Sequence, residues 1–168
     1  MLVEQNLAEM ERSRERYWRA YPKTSPFKLR WRAMTVRHCF HVLPGERILE
    51  LGAGTGLWTE HLAKILKGRN PIAACYFNAE YGNSETWSRL PSVEPVFVND
   101  LDDLPAESFD YVVGTAILCH NQFPQNLKKI LRLLKPGGQI LFFENNLLNP
   151  QVFLKNAIPR LGRLLGQA

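Results

Sequence analysis

Apolar residues recur along this chain in two alternating rhythms. Short apolar runs fall at 48–51, 72–77, 93–99, 108–113 and 139–143. Between them the apolar positions step by three or four. The first rhythm predicts strands of a mostly parallel sheet, and the second predicts amphipathic helices packed on it. A helix is expected over 3–20, with Leu7, Met10 and Tyr17 facing inward. Pro22 ends it. Ser25-Pro26 opens a second helix, whose inner face is Leu29, Ala33, Val36, Phe40 and Leu43. Leu57, Trp58, Leu62, Ile65 and Leu66 share a third helical face. A short helix over 82–90 and a stripe of Leu127, Ile130, Leu131 and Leu134 over 126–134 complete the set. Strand and helix alternating in this way give an open α/β architecture.

The strand at 48–51 runs straight into a glycine turn. Gly52, Gly54 and Gly56 stand at every second position. Without a Cβ, such residues accept positive φ and let a ligand lie against bare backbone. Strand, glycine turn and helix together form the nucleotide-binding corner of an open α/β sheet. Two common fingerprints fail here. A dinucleotide turn needs a third glycine where Leu57 stands, and a phosphate loop needs Lys and Ser or Thr where Leu57 and Trp58 stand. What remains is Glu50-x-Gly52-x-Gly54-x-Gly56, with an acid two residues before the first glycine.

This run resembles the first motif of the class I S-adenosylmethionine (SAM) dependent methyltransferases. Phe109-Asp110-Tyr111-Val112-Val113 is similar to the family's second motif. Leu134-Lys135-Pro136-Gly137-Gly138 before an apolar strand is similar to its third. The three stand in the family's order, and the resemblance covers 44–144. It implies an open, mostly parallel Rossmann-like sheet of order 3-2-1-4-5, with helices on both faces. It implies SAM as cofactor and methyl transfer to a small-molecule acceptor such as a sugar, lipid, quinone or other metabolite; the sequence itself offers no metal-ligating cluster. Glu50, Gly52, Ala53, Gly54 and Gly56 would cradle the cofactor. Asp100 would accept from the adenine amino group, and Leu101 would pack on the ring. Thr115 and Ala116 would approach the methionine end through their backbone. His120 would take a proton from an acceptor hydroxyl, and Asp110 would be structural.

Two departures stand out. The family places an acid for the ribose hydroxyls at the end of the second strand, where this chain has Tyr76, followed by Phe77 and Asn78. The family's last two strands are also missing. Residues 145–168 read as a helix kinked at Pro159, with Leu154, Ile158, Leu161 and Leu165 on one side. A bare fifth-strand edge is a liability. It is expected to be covered by that helix, by a homodimer partner or by a further domain, or to mark a truncated domain end.

Composition narrows this picture further. The 168 residues suit one domain, and the hydrophobic and charged fractions, 45% and 22%, are those of a globular chain. The start of the chain lacks the apolar core of a signal peptide. Cys39, Cys75 and Cys119 are odd in number and widely spaced. They read as reduced thiols, which places the protein in the cytoplasm. The net charge of +5 permits an anionic substrate without naming one. Up to Arg47 there are ten Lys or Arg against five Glu. That segment reads either as a solvated helical face or as a cap over the ligand cleft, with Tyr17, Trp18 and Tyr21 as lid aromatics. Nucleic acid is not expected, because the basic residues lack interleaved stacking aromatics. The expected organisation is a helical cap over 1–43, a SAM-binding core over 44–144 and a helical segment over 145–168. Two alternatives stay open: a methyltransferase-like binding module without turnover, and a fragment of a larger multidomain enzyme.

Overall fold

A computed structural model of the chain describes residues 2–117, 123–144 and 146, with side chains from Leu7 and again from Asn126. Cys119, His120 and, apart from residue 146, the helix expected over 145–168 fall outside the described residues. Five strands are present: β1 (Ile48–Leu51), β2 (Ile72–Tyr76), β3 (Val93–Phe97), β4 (Phe109–Thr115) and β5 (Leu134–Phe143). All pair in parallel, in the order β3-β2-β1-β4-β5 that the motifs predicted. β1 is central, with Ile48 opposite Ile72 of β2 and Tyr111 of β4. The chain order reverses between β1 and β4, and at such a switch point the carboxyl ends of two strands open a crevice.

The helices are α1 (Leu2–Ala20), α2 (Ser25–Phe40), α3 (Leu57–Ile65), the short α4 (Glu85–Ser88) and α5 (Phe123–Leu133). They lie over two apolar layers, one on each face of the sheet. Ile48, Ala74 and Val113 point to the layer shared with α2 and α3, and Leu49, Leu51, Cys75 and Val112 to the layer shared with α5. This alternation is the period-two consequence of the pleat, and it puts Glu50 on the same face as Ile48. Ile48, Val36 and Leu62 are each fully enclosed. Burying a side chain of that size contributes about 1.5–3 kcal/mol.

Four sequence expectations need correction. The helix expected over 126–134 is α5, which ends at Leu133; Leu131 is 51% exposed, and Leu134 already belongs to β5. In α2 the inner stripe is Leu29, Ala33, Val36 and Phe40, but Leu43 is 62% exposed. The helix stops at Phe40 because His41 turns left-handed, at φ +50°. In α1 the buried stripe is Leu7, Glu11, Glu15 and Trp18, while Tyr17 faces solvent. The fifth strand begins at Leu134 and not at Gln139: Leu134 pairs with Phe109, and the register then slips before Gln139 meets Tyr111. Gly137, at φ +81°, lies within that irregular stretch. Lys135 reaches across it to Asp110 (Nζ–Oδ2 2.7 Å), which also accepts from the Arg47 N–H at 2.7 Å. Asp110 thus ties together the amino-terminal ends of β1, β4 and β5, far from the crevice, as a structural residue would.

Candidate functional site

At the carboxyl end of β1 the backbone coils through Gly52 (φ +70°), Gly54 (φ +60°) and Gly56 (φ +85°). These are conformations that cost a side-chain-bearing residue about 1–2 kcal/mol. The turn is held by Ala53 N–H donating to Cys75 O at 2.7 Å and Gly56 N–H donating to Ala53 O at 3.0 Å. Ser84 donates its hydroxyl to Thr55 O at 2.7 Å and caps α4, pinning the outer side of the turn. On β4, the chain leaves the strand through Ala116, again left-handed at φ +53°. Its N–H donates to Phe143 O at 2.9 Å, and the next N–H, Ile117, donates to Glu144 Oε1 at 2.8 Å.

α1 lays three charged side chains into this crevice. Arg14 donates to two backbone carbonyls, Gly52 O and Thr115 O, and so bridges the ends of β1 and β4. Glu11, 1% exposed, accepts from three backbone N–H groups: Gly54 at 2.9 Å, Phe77 at 2.9 Å and Asn78 at 3.0 Å. Glu15 accepts from Thr55 N–H at 3.2 Å and Thr55 Oγ1 at 2.8 Å. A Cβ built on Gly52 would stand 2.5 Å from Arg14 Nη2, and one on Gly54 would collide with Glu15 Oε1. The bare backbone is therefore in use, and α1 is what lies against it.

The electrostatics centre on Glu50. It is 1% exposed, and its Oε2 has no hydrogen-bond partner. Burial pushes its carboxyl up to about 7, against the pull of the Thr59 hydroxyl and the Arg14 guanidinium. That hydroxyl faces Glu50 without closing a bond of normal geometry. Burial likewise raises Glu11, opposed by its backbone N–H partners and by Arg14. Arg14 is lowered by burial and held up by Glu11, Glu50 and Glu15 in turn. A cation is thus set among three acids, touching two carbonyls.

The structure brings Glu50, Gly52, Ala53, Gly54, Gly56, Phe77, Asn78, Thr115 and Ala116 around one crevice. Tyr76 sits at the end of β2, but its ring stacks on Trp87 (6.3 Å between centroids) and leans on Phe97. Asn78 caps the turn that follows, its Oδ1 accepting from Glu80 N–H at 3.2 Å. Asp100 follows β3 and accepts from Asp102 N–H at 2.9 Å, and its carboxylate pairs with Lys129 of α5. Lys129, with the Asp102 N–H, holds that carboxyl below its ordinary range. Leu101 is buried beneath. His120 is outside the described residues.

Beyond Thr115 lies an aromatic wall that sequence reading did not assemble. Phe143 at the end of β5 meets Trp31 and Trp58 edge-on, at 5.9 and 5.8 Å. Arg32 of α2 lies between the Trp18 and Phe143 rings, 4.9 and 5.3 Å from their centroids, and donates to Thr115 Oγ1 at 3.3 Å. The α1 residues were missed as well, yet the sequence held a signal for them. Leu7, Glu11, Arg14, Glu15 and Trp18 recur at steps of three and four, so an apolar stripe continues through charged positions.

A methyltransferase-domain family model matches residues 6–161. The chain belongs to the methyltransferase-domain family. It shares 28% identity over 121 residues with the demethylmenaquinone methyltransferase of Lysinibacillus sphaericus, covering 69% of this chain and 51% of that protein. It shares 32% over 116 residues with the highly reducing polyketide synthase acrA of Aspergillus aculeatus, covering 62% of this chain and 5% of that far longer protein. The chain therefore spans at most about half the length of these relatives. Among solved structures, the DhpI complex with S-adenosylhomocysteine (SAH) superposes with a TM-score of 0.61 at 22% identity, covering 84% of this chain and 68% of that one. At that identity the likeness is one of fold, and the fold is that of the class I methyltransferases.

Proposed function

We propose that this chain binds SAM at the switch point between β1 and β4 and serves methyl transfer to a small organic acceptor. The observation that carries the reading is the pair of carbonyls, Gly52 O and Thr115 O, turned on one cation beside the orphaned buried acid Glu50. A ligand with an ammonium group suits that pair of carbonyl acceptors, and a nucleoside portion suits a glycine turn that carries no Cβ. The residues fit the cofactor, with Gly52–Gly56, Glu50, Phe77, Asn78, Thr115 and Ala116 to hold it and Asp100 and Leu101 further out. Bound there, it would supply a methyl group already activated as a sulfonium.

The chain's own contribution is then alignment in a dry pocket. Trp31, Trp58 and Phe143 offer an apolar wall at the end of β5. Arg32, stacked on Phe143 beside Thr115, offers a fixed cation to orient an acceptor. A planar or partly apolar metabolite with a polar handle matches that wall. The relatives named for demethylmenaquinone and for polyketide synthesis support a small-molecule acceptor, although their names describe those proteins. No helix among the described residues is long and apolar enough to cross a membrane. The widely spaced cysteines favour a reducing, cytoplasmic setting. β5 pairs only with β4 among the described residues, which favours a homodimer or a further domain at that edge.

A second reading, a binding module without turnover, draws support from Tyr76. Its ring is committed to Trp87, and no acid stands at the end of β2. Calorimetric titration with SAM and SAH, followed by SAH release in the presence of acceptor pools, separates the two. Saturable binding with acceptor-dependent release supports the enzyme. Binding without release from any pool supports the module, and no binding refutes both.

A further inference from the structure

The crevice assigned to the cofactor is filled by the protein itself. Arg14 occupies the two carbonyl acceptors at the ends of β1 and β4, and Glu11 occupies three N–H donors on the glycine turn and the end of β2. Between them they present one cation and one carboxylate in a site built to take an ammonium on one side and oxygen acceptors on the other. SAM carries the same two chemistries, with an ammonium group for the carbonyls and hydroxyl or carboxylate oxygens for the N–H groups. We propose that Glu11 and Arg14 are internal competitors of the cofactor, setting its affinity, and that α1 must leave the crevice before SAM enters. The inference rests on the cofactor reading above.

The way α1 is attached fits this role. Among its residues with described side chains, only Leu7 and Trp18 are buried and apolar. The rest of the hold is polar: Glu11, Arg14 and Glu15 on backbone groups and on Thr55. Buried charges cost desolvation, and a helix fixed permanently would be held at less cost by apolar side chains. A hold made of hydrogen bonds to backbone is also one that a ligand bearing the same groups replaces bond for bond. α2, in contrast, is locked by Leu29, Ala33, Val36 and Phe40 in the core, so the movement is confined to α1. Ser25 Oγ donates to Trp18 O at 2.8 Å, at the junction of the two helices where a hinge belongs.

Two measurements on the full chain test this. In amide hydrogen exchange, saturating SAH should slow exchange at 52–56 and at Phe77 and Asn78, and should speed exchange along α1. Glu11→Gln and Arg14→Gln each weaken the occupant and leave the residues of the turn unchanged. The closed form is the one the structure holds, and on this proposal the open form is the minor population, so SAH should bind each variant about tenfold or more tightly, because apparent affinity scales with the competent fraction. Slower exchange along α1 in the presence of SAH overturns the proposal and makes Glu11 and Arg14 ligands of the cofactor, with the cofactor reading intact. Equal or weaker binding by the variants, with folding confirmed by circular dichroism, overturns it too. If neither variant folds, exchange in the wild type decides alone. Failure of wild type and variants alike to bind millimolar SAH, with no protection at 52–56, refutes the cofactor reading as well.

Discussion

Replacing Glu50 by Gln should stabilise the protein in a way that depends on pH. The carboxyl is enclosed at 1% exposure, with one oxygen unpartnered, and burial lifts it from the ordinary 4.5 to about 7. Between those values the native state keeps a proton that the unfolded chain has released. Native protein therefore binds more protons, and stability falls as pH rises through that window. The contribution is fully present below 4.5 and lost above about 7. Moving one carboxyl over that interval is worth about 3 kcal/mol, at about 1.4 kcal/mol per pH unit. Glutamine has the same shape and no proton to lose, so the variant should lack this slope. Urea unfolding of wild type and Glu50→Gln at pH 5, 6, 7 and 8 measures it. The variant should gain on the wild type by about 2–3 kcal/mol between the ends of that series, the remainder lying below pH 5. Parallel pH profiles would show that Glu50 is not held against its charge, and would remove it as the acid awaiting a cationic ligand.

Four further substitutions probe the backbone and one ion pair. Gly56→Ala should cost about 2–4 kcal/mol, combining left-handed strain with overpacking, since its Cβ would stand 2.7 Å from the Trp87 ring. Gly45→Ala, at φ +89° with nothing within 4 Å, should cost only the strain, about 1–2 kcal/mol; equal urea midpoints for the two would contradict this packing. Ala116→Gly should be neutral or stabilising by up to about 1 kcal/mol, because it relieves a left-handed alanine at the price of a looser unfolded chain; a clear loss of stability would refute it. At Asp110, burial pushes the carboxyl up, but Lys135 and the Arg47 N–H outweigh it and hold it below its ordinary 3.8. Its contribution is present above that value and lost as pH falls through the depressed native one. Asp110→Asn should therefore cost about 1 kcal/mol at neutral pH, discounted for the half-exposed Lys135, and nothing in strong acid; a pH-independent deficit would show that the ion pair is not its source.

The sheet was legible because its determinants are local. Ile48 to Leu51 and Phe109 to Val113 are short, mainly apolar runs bounded by turn residues, as buried parallel strands are, and the glycines after β1 mark where backbone must turn left-handed. Strand order came from the resemblance and from the sequence of motifs, not from periodicity. What lay hidden was non-local. Nothing near Glu11 or Arg14 says that their partners are backbone groups 38 to 101 residues further on. Charged residues on a helix are by default solvated, and the signal that these were not is their place on one stripe with Leu7 and Trp18. Tyr17 was misplaced for the same reason, since a helix whose buried face is partly charged offers little apolar contrast to orient it. The start of β5 was misread because Pro136 and Gly137 look like a loop, whereas the register slip opposite Phe109 admits them into a strand. Asp100 shows the opposite case: its position was legible, but its pairing with Lys129 of α5 was not.

Occupation of the crevice between β1 and β4 by the cofactor is open to direct measurement. Ultraviolet cross-linking of methyl-tritiated SAM to the full chain, followed by peptide mapping, tests it most directly. Label on peptides spanning 48–57 and 111–117, competed away by excess SAH, is the predicted result. Label that is absent, that resists SAH, or that maps instead to the outer cleft lined by Arg16, Arg19 and Tyr81 would contradict the account.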